Sequence, residues 1–171
     1  MGQPISLGHI TNADIYLDDQ RMVGRVKEFN VGEMAYKMVT HEALGMIGVI
    51  DLPSRAMDSL KATINFEYYE PELIAALYNP TKTCRFFLHA YLDKFDTDGL
   101  SSTSGRLVTM VKTYPSKQGE RGHKLGENSE QSFEVTIAAM TQKLSTQNVP
   151  LFEYDLFAGI HKVNGKDVWP N

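Results

Sequence analysis

The sequence has one cysteine, Cys84, and one tryptophan in 171 residues. A lone thiol excludes an intrachain disulfide and a thiolate zinc cluster. No run approaches the ~18 consecutive apolar residues of a membrane-spanning helix, and no basic-then-apolar leader opens the chain. The expectation is a chain without a membrane anchor, folded unprocessed in a cytosol. Positive charge is not in excess either: 17 Lys and Arg against 21 Asp and Glu leave a net charge of -4. The basic residues are scattered among acids without regularly interleaved aromatics, which gives no footprint for specific nucleic-acid binding.

Catalytic signatures are as scarce. There is no G-x-S-x-G and no evident nucleophile–base pair, and "GERGHKLG" (119–126) lacks the GK[ST] ending of a phosphate loop. Among His9, His41, His89, His123 and His161 no two stand two or four positions apart, so none forms the paired-histidine face of a preformed metal site. "DKFDTDG" resembles a calcium loop only superficially. With Asp98 and Gly99 at positions five and six, Lys94 falls where the first ligand belongs and Gly105 where a bidentate Glu is required. No catalytic residue, metal or cofactor is expected.

What is present is strand pattern. Apolar residues at 42% and charged residues at 22% fit an ordinary globular chain, and the length suits a single domain over 1–171. In "SLKATINFEY", Leu60, Ala62, Ile64, Phe66 and Tyr68 alternate with Ser59, Lys61, Thr63, Asn65 and Glu67, so a strand there is greasy on one face and wet on the other. Cys84, Phe86, Leu88, Ala90 and Leu92 alternate likewise and predict a buried thiol. Phe133, Val135 and Ile137 oppose Glu134 and Thr136. "LFEYDLFAGI" reads as one strand with Phe152, Tyr154, Leu156, Ala158 and Ile160 on one face. Asp18-Asp19-Gln20 and Asn164-Gly165 read as hairpin turns. One helix is signed by Pro71 in its first turn, Glu70 and Glu72 near its positive end, the Leu73/Ile74/Leu77 stripe, and Asn79-Pro80 beyond it. Polar loops are expected at 96–105 and at about 115–130. The fold class is mainly β, a sandwich or barrel with one flanking helix.

"THEALGMIGVIDLPSR" fits none of these elements. Leu44, Met46, Ile47, Val49 and Ile50 crowd together, yet Gly45 and Gly48 break a helix and steady alternation is missing. An extended apolar arm at about 40–55 either folds back onto its own core or packs against a neighbouring molecule, since soluble monomers seldom display large apolar patches. From the residues alone both remain open.

The order of the motifs resembles the major tail tube proteins of contractile-tailed bacteriophages, the P2-like tube family related to R-type bacteriocin tubes and to Hcp. The resembling pieces are "NADIYLDDQRMVGRV", "EMAYKMVTHEALGMIGVIDLP", "LKATINFEYYEPELIAAL", "FFLHAYLDKF" and "GRLVTMVKTYPSKQGERGHKLGENSEQSFEVTIAAMTQKLSTQNVPLFEYDLFAGIHKVNGKDVW". Residues 40–45 depart from the family's usual pattern at that point. The resemblance implies a structural virion protein without enzymatic activity. Hexameric rings would stack into the inner tube of a contractile tail, surrounded by sheath protein. Tape-measure, baseplate and terminator proteins would be further partners, and genomic DNA would pass through the lumen without specific binding. It implies assembly in the host cytoplasm. Leu44, Met46, Ile47, Val49 and Ile50 then become candidate inter-subunit contacts. Lys61, Thr63, Asn65, Glu67, Glu134 and Thr136 become candidate lumen-facing residues, in a ring whose summed charge of 6 × -4 = -24 predicts a weakly acidic channel. Alternatives are an Hcp-like secretion ring and a monomeric β-barrel that binds a small apolar ligand.

Overall fold

The computed structural model describes residues 7–18, 20–21, 26–67, 71–119, 125–126 and 130–170. In chain order the strands are β1 (Leu7–Leu17), β2 (Gln20–Arg21), β3 (Val26–Val31), β4 (Tyr36–His41), β5 (Ile50–Met57) and β6 (Lys61–Phe66). Helix α1 (Pro71–Leu77) follows, then β7 (Cys84–Asp96), β8 (Gly99–Leu100), β9 (Gly105–Gln118) and β10 (Gln131–Leu144). The chain closes with β11 (Phe152–Asp155), β12 (Ile160–Val163) and β13 (Lys166–Asp167).

One large antiparallel sheet runs β13-β12-β11-β10-β9-β7-β1-β2, and it forks at β10. The first half of β10 pairs with β6, which in turn pairs with β3, while its second half pairs with β11. The fork lets the sheet curl. Phe29 of β3 comes within 5.4 Å, ring to ring, of Phe86 on β7, although three strands separate β3 from β7 in the sheet order. The curl does not close into a barrel; the result is sandwich-like, with α1 packed onto the core.

The alternating residues behave as their pattern requires. Leu60, Ala62, Ile64, Phe66, Phe133, Val135 and Ile137 are buried and pack with Cys84, Phe86 and Val111 in one cluster. Helix α1 is too short to hold itself together in water, and it depends on Leu73, Ile74 and Leu77, all buried in the same cluster. Burial raises the pKa of the Cys84 thiol, with the Asp18 carboxylate adding to the effect. The Asn164-Gly165 turn takes φ of 50° and 74°, the mirror-image geometry that suits a two-residue hairpin.

Four expectations are corrected. "LFEYDLFAGI" is two strands joined by a turn, because the Asp155 carboxylate accepts the N–H groups of Phe157 at 2.9 Å and Ala158 at 3.0 Å. Gly159 then reverses the chain with φ of 65°. The polar loop does not begin at 115, since β9 continues to Gln118; residues 120–124 and 127–129 of that loop lie outside the described residues. The 96–105 stretch is not all loop, for Gly99–Leu100 pairs with the end of β7. The arm is not formless: β4 and β5 make a two-stranded ribbon of their own. Tyr68, Glu70, Asp19 and His123 also lie outside the described residues.

Candidate functional site: a polar wall and a projecting arm

The wall is the outer face of the fork. In the β6–β10 ladder Lys61 lies opposite Thr136, Thr63 opposite Glu134 and Asn65 opposite Ser132. Their neighbours in sequence fill the core, so the two-residue period of a strand turns these side chains to the other face. β3 extends this face with Glu28 opposite Asn65 and Asn30 opposite Thr63. The end of β9 extends it the other way, with Tyr114 opposite Thr136 and Lys117 opposite Glu134.

The charges on this face are compensated rather than uniformly acidic. The Lys61 ammonium donates to Glu134 at 3.1 Å. Lys27 bridges Glu130 at 2.9 Å and Glu67 at 3.8 Å, and its pKa is raised chiefly by Glu130. Glu28 accepts from the Asn65 amide at 3.1 Å. Hydrogen bonds from Asn30 and then Asn65 hold its carboxyl below the usual range. Solvent screens exposed pairs of this kind, so they add little to stability. Their consequence is for the field: little of the chain's net charge is unpaired here.

The wall has two open edges. Among the described residues the outer side of β3 pairs with no strand. β9 parts from β7 at the Cys84–Thr113 pair, so among the described residues 114–117 pair with β10 and with no strand on the other side. Beyond that second edge lies a groove of about 440 Å³, with Leu77, Tyr78 and Pro80 on its far side. Open edges attract further strands.

The arm continues the β3–β6 hairpin outward. Its tip loop turns at Gly45, whose φ is 89°, and is held by the Met46 N–H donating to the Ala43 carbonyl at 3.1 Å. Leu44 and Ile47 are fully exposed, at 107% and 109% of the reference area, and Met46, Val49 and Ile50 are also exposed. The candidate contact residues are thus gathered at one apolar end. A lone two-stranded ribbon is marginal in water, so its base is braced. Tyr36 Oη and His161 Nε2 are 3.1 Å apart. The Arg55 guanidinium donates to the Pro170 carbonyl at 2.9 Å and lies 6.0 Å from the centre of the Trp169 ring. Beside this brace a cleft of about 390 Å³ opens between β5 and the β11–β12 turn.

Sequence reasoning did not find Glu28, Asn30 or the brace. An irregularity between Val26 and Glu28 breaks the alternation that would have disclosed a face on β3. The brace joins residues more than a hundred positions apart. No group of three or more potential metal ligands occurs among the described residues.

The sequence model of the family described as phage tail tube protein FII matches residues 8–171. No curated protein matches the chain. Among solved structures the chain is similar to a subunit of the PVC extracellular contractile injection system in its extended sheath-tube complex. The TM-score is 0.54 at 10% identity, over 77% of this chain and 88% of that one. A subunit of the same system's sheath/tube terminator gives 0.56 at 10% identity, over 83% and 98%. The tube-terminating cap of the anti-feeding prophage gives 0.56 at 8% identity, over 78% and 88%. At such identities these likenesses establish the fold.

Proposed function

Because the chain belongs to the phage tail tube protein FII family, and is on that account a structural rather than enzymatic protein, we propose that it is the ring subunit of a contractile tail's inner tube. The observation that carries this reading is the wall with an open edge on each side among the described residues. In the proposed ring, β3 of one copy pairs with the 114–117 end of β9 in the next. Six copies of a four-strand wall supply about 24 strands. At about 4.8 Å per strand their backbones close a ring about 37 Å across, somewhat wider once strand tilt is included. Closure removes the edges that would otherwise invite uncontrolled pairing.

The polar face then lines the lumen and the apolar face stays in the core of each subunit. Lys61, Thr63, Asn65, Glu67, Glu134 and Thr136 face the passage together with Glu28 and Asn30. Paired Lys and Glu leave no free basic stripe for the backbone of a passing nucleic acid to grip, so genomic DNA slides by. Rings stack through the apolar arms. Sheath protein surrounds the tube, the tape-measure protein occupies the lumen during assembly, and terminator and baseplate proteins close its ends. Assembly takes place in the host cytoplasm and the finished tube is part of the virion. The family match favours this reading over a secretion ring.

Sizing chromatography and negative-stain imaging of the purified chain, with and without sheath protein, test it. Hollow tubes or six-membered rings are expected. A monomer at every concentration and with sheath present would refute the proposal.

A further inference from the structure

The tip of the arm and the cleft at its base are complementary, and they cannot meet within one chain. The tip offers Leu44 and Ile47 without cover, on a loop whose Gly45 and Gly48 would meet no neighbouring atom even if each carried a Cβ. The cleft lies between Arg55–Met57 of β5 and Tyr154–His161 of the β11–β12 turn, with Trp169 at its side. Its walls are mixed: Met57, Leu156 and Ile160 are apolar, and His161, Arg55 and Asp167 supply polar rims. Leu156 is exposed although Asp155 fixes the turn that holds it.

From Ile50 to Ala56 is six residues of strand, about 20 Å at about 3.3 Å per residue. An arm's own tip is therefore held well away from its own base. We propose that the cleft receives the arm tip of a second copy, with Leu44 and Ile47 seated against Met57, Leu156 and Ile160. The contact is heterologous: each subunit gives a tip and receives one, so it repeats from copy to copy without self-limiting pairing. It also accounts for the brace. Tyr36, His161, Arg55 and Trp169 fix the angle between arm and cleft, and hence the relation of one copy to the next. The inference rests on the tube reading above and assigns the receptor that reading leaves open.

Cysteine crosslinking tests it. Cys84 is buried, so the unmodified chain serves as the unlinked background. Ile47→Cys and Ala56→Cys are placed in one chain, tubes are assembled and checked by imaging, and a short thiol-specific crosslinker is added. A ladder of covalent dimers, trimers and higher species is expected from the double variant, and no ladder from either single variant. A parallel variant pairs Ile47→Cys with Ser116→Cys, in the groove beside α1. Tubes that form normally but ladder only in this second variant, or in neither, overturn the assignment and leave the tube reading intact. Failure of the unmodified chain to form tubes under any condition overturns the tube reading, and this inference with it.

Discussion

Replacing Met46 and Ile47 together by Asp separates folding from assembly. In the isolated subunit Ile47 is fully exposed and Met46 is 45% exposed, so neither belongs to the core cluster. Surface substitutions away from caps and networks change stability by about 0.5 kcal/mol or less. The urea midpoint of the unassembled double variant is therefore expected to match that of the parent. In the proposed tube both side chains are covered. Full burial of a side chain of this size is worth about 1.5–3 kcal/mol; with Met46 already half covered, the pair contributes about 2–5 kcal/mol per contact. At about 1.4 kcal/mol per factor of ten, losing that contribution raises the concentration needed for assembly by about thirtyfold to several thousandfold. Two carboxylates forced against the apolar side chains of Met57, Leu156 and Ile160 raise it further. Urea unfolding read by circular dichroism measures the first quantity, and pelleting of tubes across a concentration series measures the second. Tubes assembling at the parent's concentration would remove the arm from the interface. A loss of more than about 1 kcal/mol in the free subunit would show that the arm is structural within its own chain, against the exposures on which the reasoning rests.

Phe86 is completely buried against Phe29, and Phe86→Ala should cost about 3–5 kcal/mol in urea unfolding. Gln131 is buried with neither amide atom hydrogen-bonded to a described residue; Gln131→Leu should raise stability by about 1–3 kcal/mol, and a fall would reveal a polar partner outside the described residues. Burial raises the pKa of Cys84 from 9.0, and burial followed by the Asp155 charge raises that of Tyr154 from 10.0. The folded state holds these protons more tightly than the unfolded chain, so their contribution is intact below pH 9 and is lost as pH rises through the folded values. The urea midpoint should fall above about pH 9, and Cys84→Ala should abolish the earlier part of that fall.

The parts of this fold that were legible in sequence are those where one face is buried by the chain itself. The β6 alternation and the α1 stripe could be read directly because the core imposes periods of two and 3.6 on them. The reading failed where a local device interrupts the period. The irregularity near Lys27 hid the wall face of β3. At Asp155 the period-two pattern runs by coincidence through a turn made by one carboxylate and Gly159. The ribbon was hidden for a different reason. Its strands show no polar-apolar alternation because neither face meets the subunit's own core. Residues whose surroundings belong to another molecule carry no intramolecular period. The pattern of 40–55 was informative in being irregular and apolar at once.

Wall and arm are one continuous hairpin, and this constrains how a tube could be built. β3 runs into β4 and β5 runs back into β6, so the strand proposed to close the ring and the ribbon that reaches outward share a backbone. The handover is tight. The Gly32 N–H donates to the Lys61 carbonyl at 2.7 Å and the Asp58 N–H to the Ala35 carbonyl at 2.9 Å. A Cβ on Gly32 would come within 2.7 Å of that same Lys61 oxygen, so no larger residue fits without displacing β6. Above the handover the brace ties the ribbon to His161 of β12 and to Pro170. An arm seated in a neighbour therefore cannot swing independently of its own wall. Moving the tip moves β3, and moving β3 opens or closes the lateral edge. In the proposed tube, ring closure and arm contact would accordingly strengthen one another. Gly32→Ala separates that coupling from simple stability: it should lower the cooperativity of assembly, seen as shorter tubes and more free rings, by more than its effect on subunit unfolding explains. Equal losses in both would show that Gly32 serves packing alone.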